Sequence, residues 1–419
     1  MLDADPARQR WRVVADGLES LWALVCIVLF AKTFLGTLDF GDIEAGVAPT
    51  SPIFFGIALI LYIGILPFLL LAAGEAWRRI LRYPEILLLI LLAFISASWS
   101  VDPALTLRRA FALVGTTTFA LWMAIRFDGE RIIRLVSVAL VIGVMSSFLY
   151  AAINPSRAIH HGDLHDGAWR GVFFHKNLLG QAMALWTCIA IQAMGTIRRH
   201  AWLEWLGVAG GFALILLSTS KAGLGTAVII LLVSALLRIP RITREVRLAI
   251  VLVAGLAVVA FVFASPDAAL GGIGGETTLT GRTAIWSAAL ETGFERPWTG
   301  FGYRAFWLGL DGPSAHTINQ IGYMIPHGHS GFLDVFLELG VIGFGLVCLL
   351  ILRAAWVIGK PIIAGRVDPW SRSRLALLIA LLTISFVSSP LLGQNDVFWL
   401  LFLVALFSHD VGRSNATPA

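Results

Sequence analysis

Apolar stretches of about 20 residues, each long enough to cross a bilayer as a helix, recur along almost the whole chain. No other feature restricts the fold so strongly. With 58% hydrophobic and only 14% charged residues among 419, a soluble domain could not cover its core with a polar skin. Lipid must be the solvent for most of the chain. Every backbone polar group must then be paired internally, so the expected fold class is all-α, a polytopic integral membrane protein.

About twelve transmembrane helices are expected: Leu18–Leu38, Pro52–Ala73, Pro84–Trp99, Leu105–Ile125, Ile132–Ile153, Leu178–Ile197, Trp202–Leu217, Ala222–Leu237, Leu248–Ala264, Gly331–Leu352, Leu375–Ser389 and Val397–Ser408. The last two are short. Cations fall on alternate connections: Arg8, Arg10 and Arg12; Arg78, Arg79 and Arg82; Arg126, Arg131 and Arg134; Arg198 and Arg199; Arg238, Arg241, Arg244 and Arg247; then Arg353, Lys360, Arg366, Arg372 and Arg374. Positive loops stay inside, so both termini are expected in the cytoplasm. The first opposite loop, with Asp39, Asp42 and Glu44, carries no cation. The first apolar run is too long for a cleaved signal and lacks a small-residue cleavage site, and reads as a retained helix.

The 31 Lys and Arg against 26 Asp and Glu give +5, but in scattered clusters rather than the single patch that nucleic acid requires. Cys26, Cys188 and Cys348 lie inside apolar runs, which points to neither a disulfide framework nor a thiolate metal site. The expected organisation is a membrane domain over 1–264, a large, partly helical outer loop over 265–329, and the rest of the membrane domain over 330–419.

Two outer segments are longer than a tight connection, Asn154–Asn177 and Ser265–His329, and long ordered loops on a rigid scaffold tend to carry function. Cations on this side need a reason, because charge at a membrane boundary is costly to desolvate. They are Arg108, Arg109, Arg157, Arg170, Lys176, Lys221, Arg282, Arg296 and Arg304. Lys221 sits in a Ser218–Gly223 hairpin, where it can either cap the preceding helix or aim a point charge at an anion. Arg282 falls in the first turn of an expected amphipathic helix with Thr280 as N-cap, a place where a cation opposes the helix dipole. Orphan N–H groups with a guanidinium fork would make an anion site.

After a glycine-bearing turn, Gly300 to Arg304, the loop reaches His327 and His329 at the water boundary. His329 could stay neutral and accept a proton, with His327 near enough to compete. Asp334 and Glu338 lie roughly 140° and 180° around the helix from His329, and suit loop anchoring better than orienting its ring. The run His160, His161, Asp163, His165 and Asp166 matches no zinc spacing, and no metal site is expected. Arg170 to Asn177, with Phe173, Phe174, His175 and Lys176, is a basic and aromatic approach suited to a sugar phosphate.

In this order and on this span count, Trp99–Pro103, Gly171–Asn177, Ser218–Lys221, Gly281–Trp286 with Gly300–Gly302, and His329–Gly340 resemble the O-antigen ligase and polymerase-like family of bacterial membrane glycosyltransferases. The wording of Phe174–Asn177 and His329–Asp334 resembles exopolysaccharide polymerisation proteins of the succinoglycan type. The resemblance implies transfer at the periplasmic face of the inner membrane. The donor would be an oligosaccharide linked to undecaprenyl pyrophosphate, used without metal or other cofactor. It also implies an acceptor glycan, the lipid bilayer, and chain-length regulators or export proteins as partners, and no nucleic acid.

Two family arginines that hold the pyrophosphate fall on Lys221 and Arg282, and the family histidine falls on His329. Lys221 departs from the pattern. It either serves as a point charge or leaves the fork to Arg170. Catalysis is thus expected from His329, Arg282 and Lys221, with Arg170, His175, Lys176, Asn177, Arg304 and His327 binding substrate. The expected reaction is inverting polymerisation of lipid-linked repeat units. A ligase acting on finished polymer uses the same chemistry. A lipid-linked sugar transporter would need paired mid-membrane carboxylates and repeat symmetry, for which only Lys32, Asp334 and Glu338 are candidates.

Overall fold

The computed structural model describes residues 6–34, 37, 52–161, 165–194, 201–239, 241–263 and 279–408. Among them the chain is helical: α1 (Pro6–Phe30), α2 (Pro52–Leu71), α3 (Ala73–Ile80), α4 (Pro84–Ile95), α5 (Pro103–Arg126), α6 (Gly129–Ile153), α7 (Pro155–Ala158), α8 (Lys176–Ala193), α9 (Ala201–Leu217), α10 (Lys221–Leu237), α11 (Arg244–Phe263), α12 (Leu279–Gly293), α13 (Ala315–Ile321), α14 (Gly331–Ile363), α15 (Pro369–Ser385) and α16 (Val397–Phe407). Extended pairing among the described residues is limited to two isolated bridges, Thr33 with Phe173 and Ile159 with Trp169. Asp39, Asp42, Glu44, Asp163, Arg198, Arg199 and residues 265–278 lie outside the described residues.

Each apolar segment marked in the sequence coincides with a helix, but helix is not the same as crossing. By length and composition α6 and α14 can span a membrane, and α2 with α3, bent by 101°, can count as a third. The expectation of about twelve crossings is therefore met only in its helices. Several of these are short: α9, α10 and α15 have 17 residues each and α16 has 11. The first expected span, to Leu38, stops at Phe30, because Lys32 and Phe34 take left-handed backbone, φ 58° and 68°.

Burial explains how so short a helix as α16 is kept. All eleven of its residues are buried, packed among α5, α15, α1 and α14. Its terminal carbonyls would be orphans there. Instead Ala405 O accepts from Arg374 Nε at 2.8 Å, Leu406 O from the Tyr83 hydroxyl at 3.1 Å, and Phe407 O from Arg79 Nη1 at 3.2 Å. Two cations thus meet the negative end of the helix dipole.

The opposite end of the bundle, where α5, α8, α10, α14 and α16 begin, holds the loops. α14 breaks at Gly340, φ 64° and ψ −167°, a region open only to glycine. A Cβ there would lie 2.2 Å from the Trp298 carbonyl carbon. The freed groups of α14 pair with the segment after α12. Phe301 N donates to Leu337 O and Gly302 N to Glu338 O, both at 2.9 Å, while Val341 N donates to Pro297 O at 2.8 Å. The Gly300–Gly302 turn is thus plugged into the broken helix.

Trp99–Pro103 serves the same docking. Asp102 caps α5 by accepting from Leu105 N at 2.9 Å, and Thr106 donates to Tyr303 O at 3.2 Å. A Cβ on Gly302 would come within 2.7 Å of the Ser100 Cβ.

Candidate active site

Two pairs of helix starts build the site. The first is α8 with α10. A Cβ on Gly223 would lie 2.6 Å from the backbone of Gly180, and one on Gly180 would strike Ser218 and Ser220, so these helix starts can meet only through glycine. Ser220 caps α10 by accepting from Gly223 N at 3.2 Å, and His175 Nδ1 caps α8 by accepting from Asn177 N, also at 3.2 Å. Lys176 and Lys221 are therefore the first residues of adjacent helices, at their positive dipole ends. Thr219, held at φ 50°, receives a hydrogen bond from Lys176 Nζ at 3.1 Å. Burial and then the Lys221 charge push the Lys176 ammonium below its ordinary value.

The second pair is α12 with the turn before α14. Ser330, not His329, caps α14, accepting from Leu333 N at 3.4 Å. Asp334 Oδ1 accepts from Gly328 N at 2.9 Å and from the Trp307 indole at 2.8 Å, and its other oxygen accepts from Ser389. It anchors the loop, as its position on the helix predicts. His329 N donates to His327 Nδ1 at 3.0 Å, with the rings 4.3 Å apart. Across this turn the Trp286 indole donates to Gly328 O at 2.8 Å. Arg282 lies four residues before Trp286 on the same face of α12. α12 starts at Leu279, so Thr280 is inside the helix rather than its N-cap.

The two pairs meet electrostatically. Burial, then His327, then Arg282 push His329 down to about 3. Burial, then the neighbouring charges of Lys32, Arg304, Arg282 and His175, push His327 down to about 4. His175 falls to about 3 through burial, His160, His165, Lys176 and His329. Arg282, His329, His327, His175, Lys176 and Lys221 thus form one chain of neighbours at one end of the bundle.

Of the other expected site residues, Asn177 is half-buried in the first turn of α8. Arg170 is turned onto the backbone, donating to Arg157 O and, at 3.4 Å, to Phe174 O. Arg304, at φ 57°, is likewise engaged by the protein. Its Nη2 donates to Leu391 O at 3.1 Å and Ser389 O at 3.3 Å, and Glu338 faces it at 4.0 Å. Both cations are occupied by protein groups. Sequence reading marked their side chains as positive but could not see these carbonyls.

Sequence reasoning named His160, His165 and Lys32 but did not place them at this site. His160 and His165 meet the His175 ring edge to face at centroid separations of 5.2 and 5.3 Å. Among the described residues, no group of three or more His, Cys, Asp or Glu is arranged to hold a metal ion. Lys32, in the turn after α1, feels the charges of Asp396 and Arg304. Six of the eight described non-glycine residues at positive φ, Lys32, Thr219, Arg304, His329, Leu392 and Asn395, lie in or against this cluster. Such strain gathers where function over-determines the backbone.

Residues 206–348 match the family model described as O-antigen ligase, a stretch that holds Lys221, Arg282, His327 and His329. Over 414 residues, 94% of this chain and 89% of the other, the sequence is 27% identical to the exopolysaccharide production protein ExoQ of Rhizobium meliloti (strain 1021). The resemblance read from the motifs is borne out: the chain is similar over residues 206–348 to the O-antigen ligase family and, along most of its length, to an exopolysaccharide production protein.

Proposed function

We propose that the protein is a glycan polymerase, joining repeat units carried on undecaprenyl pyrophosphate at the periplasmic face of the inner membrane. The observation that carries this reading is the Trp286–Gly328 bond, which seats the Arg282 helix against the His329 turn. Similarity to an exopolysaccharide production protein supports the product class.

The donor diphosphate lies against Lys176, Lys221 and Arg282, at the starts of α8, α10 and α12. These are groups of the right sign at helix ends of the right polarity. The acceptor hydroxyl oxygen attacks the anomeric carbon from the face opposite the diphosphate. The bond from that carbon to the diphosphate oxygen breaks, its electron pair leaves with the phosphate, and the configuration inverts. His329 takes the hydroxyl proton and passes it to water. Positive groups neutralise charge on the leaving diphosphate, where a glycosidase would use a carboxylic acid.

The depressed His329 fits this role once substrate is present. Its imidazole is neutral at pH 7, so a lone pair is available. A dianionic diphosphate beside Arg282 offsets the field that lowers the imidazole, and makes it a stronger base only when donor is bound. Lys221 acts as a point charge, and Lys176 beside it supplies the second one. Arg170 holds the loop rather than the phosphate.

The test is incubation of purified protein in lipid with undecaprenyl pyrophosphate-linked repeat units, with products separated by length on a gel. A ladder of multiples is expected. Transfer to an added lipid acceptor without a ladder would make the protein a ligase, and movement of substrate across vesicles without new glycosidic bonds would make it a transporter.

A further inference from the structure

The helix that carries Arg282 also walls a cavity that the proposed reaction leaves unused. Its volume is about 460 Å³, and it is lined by Glu291, Thr292, Glu295, Phe301, Pro313 and His316. That size falls within the range of small-ligand clefts. Glu291 lies nine residues after Arg282 on α12, which puts it roughly 180° around the helix from that side chain. The cavity is therefore on the face of α12 turned away from the candidate anion fork.

Its walls are fixed by packing and hydrogen bonds. Phe301, 5% exposed, meets Phe306 edge to face at 5.5 Å between ring centres, in a small core with Ala289 of α12 and Leu337 of α14. The Arg296 guanidinium lies over the Phe301 ring at 5.1 Å. His316 Nε2 of α13 hydrogen-bonds Glu291 Oε2 at 3.0 Å, and Gln320 Nε2 donates to the same oxygen at 3.1 Å. These bonds orient the Glu291 carboxylate and hold it below its ordinary value. Both fall on Oε2, and Oε1 has no hydrogen-bond partner among the described residues.

Thr292 is the informative lining residue. It is 5% exposed. Buried threonines elsewhere in the bundle return the hydroxyl to the carbonyl four residues back, as Thr116, Thr117 and Thr383 do at 2.8 to 2.9 Å. The Thr292 hydroxyl makes no such bond, nor any other among the described residues. A buried hydroxyl on a cavity wall without a protein partner is a donor and an acceptor left for what enters.

The lining selects the class of ligand. Glu291 and Glu295 stand where α12 ends, at Gly293, beside the negative end of its dipole. Phosphate and other anions are repelled there. Carboxylate oxygens instead accept from neighbouring hydroxyls, Thr292 adds its own, and Phe301 and Pro313 offer an apolar wall to the C–H face of a sugar ring. The cavity is also tied to the reaction centre. The Gly300–Gly302 turn that bears Phe301 is plugged into α14 and runs on to Arg304, whose charge His327 feels.

We propose that this cavity is a glycan subsite outside the reaction centre, where Glu291, Thr292 and Glu295 bind hydroxyl groups of an uncharged sugar further along the growing chain. The inference rests on the polymerase reading, which supplies a chain long enough to reach past α12. No bond forms or breaks in the cavity. Its occupation holds the product between additions, so it governs product length and not the rate of a single transfer.

The test reads binding and product length separately. Soluble oligosaccharides of three repeat units, cut from the purified exopolysaccharide, are titrated by calorimetry against the full chain in lipid nanodiscs. Thr292→Val removes the hydroxyl at nearly constant shape, and Glu295→Gln alters an exposed side chain, with melting temperature as the check on folding. Each variant is expected to weaken oligosaccharide binding roughly fivefold or more and to leave inorganic pyrophosphate binding unchanged. Each should also shorten the longest product while the first coupling keeps its rate.

Absence of oligosaccharide binding by the wild-type protein overturns the subsite, as does wild-type affinity or wild-type product length in both folded variants. If Thr292→Val fails to fold, Glu295→Gln alone decides. Failure of the polymerase reading shows differently, as wild-type protein that binds the oligosaccharide, loses it in these variants and makes no polymer.

Discussion

The Trp286 indole N–H reaches the Gly328 carbonyl at 2.8 Å, one residue before His329 and one helical turn after Arg282. This bond ties the helix of the candidate anion fork to the turn of the candidate base. Trp286→Phe keeps the apolar ring and removes the donor, a loss of about 1 kcal/mol for one hydrogen bond. Turnover is expected to fall roughly tenfold with little change in melting temperature. Wild-type turnover in this variant would show that α12 is seated by other contacts.

Loss of charge should grade with its chemistry. His329→Ala and Arg282→Ala are expected to abolish polymer while leaving the protein folded in lipid. Arg282→Lys keeps the charge without the fork and should retain a small fraction. Lys221→Arg should stay active, because a point charge suffices there, while Lys221→Ala should lose roughly 10- to 100-fold. Arg170→Lys should change turnover less than any of these. Polymer yield from purified variants at matched expression checks the order.

Acid should destabilise the loops before the helices. His160 and His327 are pushed down to about 4, and His175 and His329 to about 3, by burial first and neighbouring positive or histidine charges second. The unfolded imidazoles titrate at their ordinary value, near 6.5. Between that value and about 4 the unfolded chain binds more protons, so stability present above pH 6.5 is lost as pH falls. A drop in melting temperature of roughly 5 °C or more from pH 7 to 4.5 is expected. It should shrink in a His160→Gln, His175→Gln double variant. A flat profile would place these rings in water.

Gly340→Ala should be among the most damaging single changes. The position needs φ 64° with ψ −167°, and a Cβ would come 2.2 Å from the Trp298 carbonyl carbon and 2.5 Å from Thr299 N. Straightening α14 would expel the Gly300–Gly302 turn and with it the seat of Arg304. A loss of about 3 kcal/mol or more is expected, read as a lowered melting temperature in detergent. Normal stability would show that α14 tolerates a continuous helix here.

Helices and chemistry types were legible in the sequence because both depend on local properties. An apolar run in lipid has few alternatives to a helix, and the motif order singles out Lys221, Arg282 and His329 as candidates. Crossing was less legible than helix. Windowed hydropathy cannot tell a helix facing lipid from one such as α16, which is apolar because other helices surround it.

What tertiary structure alone decided was which charges are spent. Arg170, Arg304, Lys176 and Lys221 look alike as isolated side chains, and only folding brought Arg304 to Glu338 and the Ser389 and Leu391 carbonyls, and Lys176 beside Lys221. Lys32 and Asp396 lie at opposite ends of the chain, within apolar surroundings that conceal their relation. Sequence determined the inventory of helices and functional groups, since these follow from composition and period. Pairing is a contact between distant residues, and no local rule fixes it.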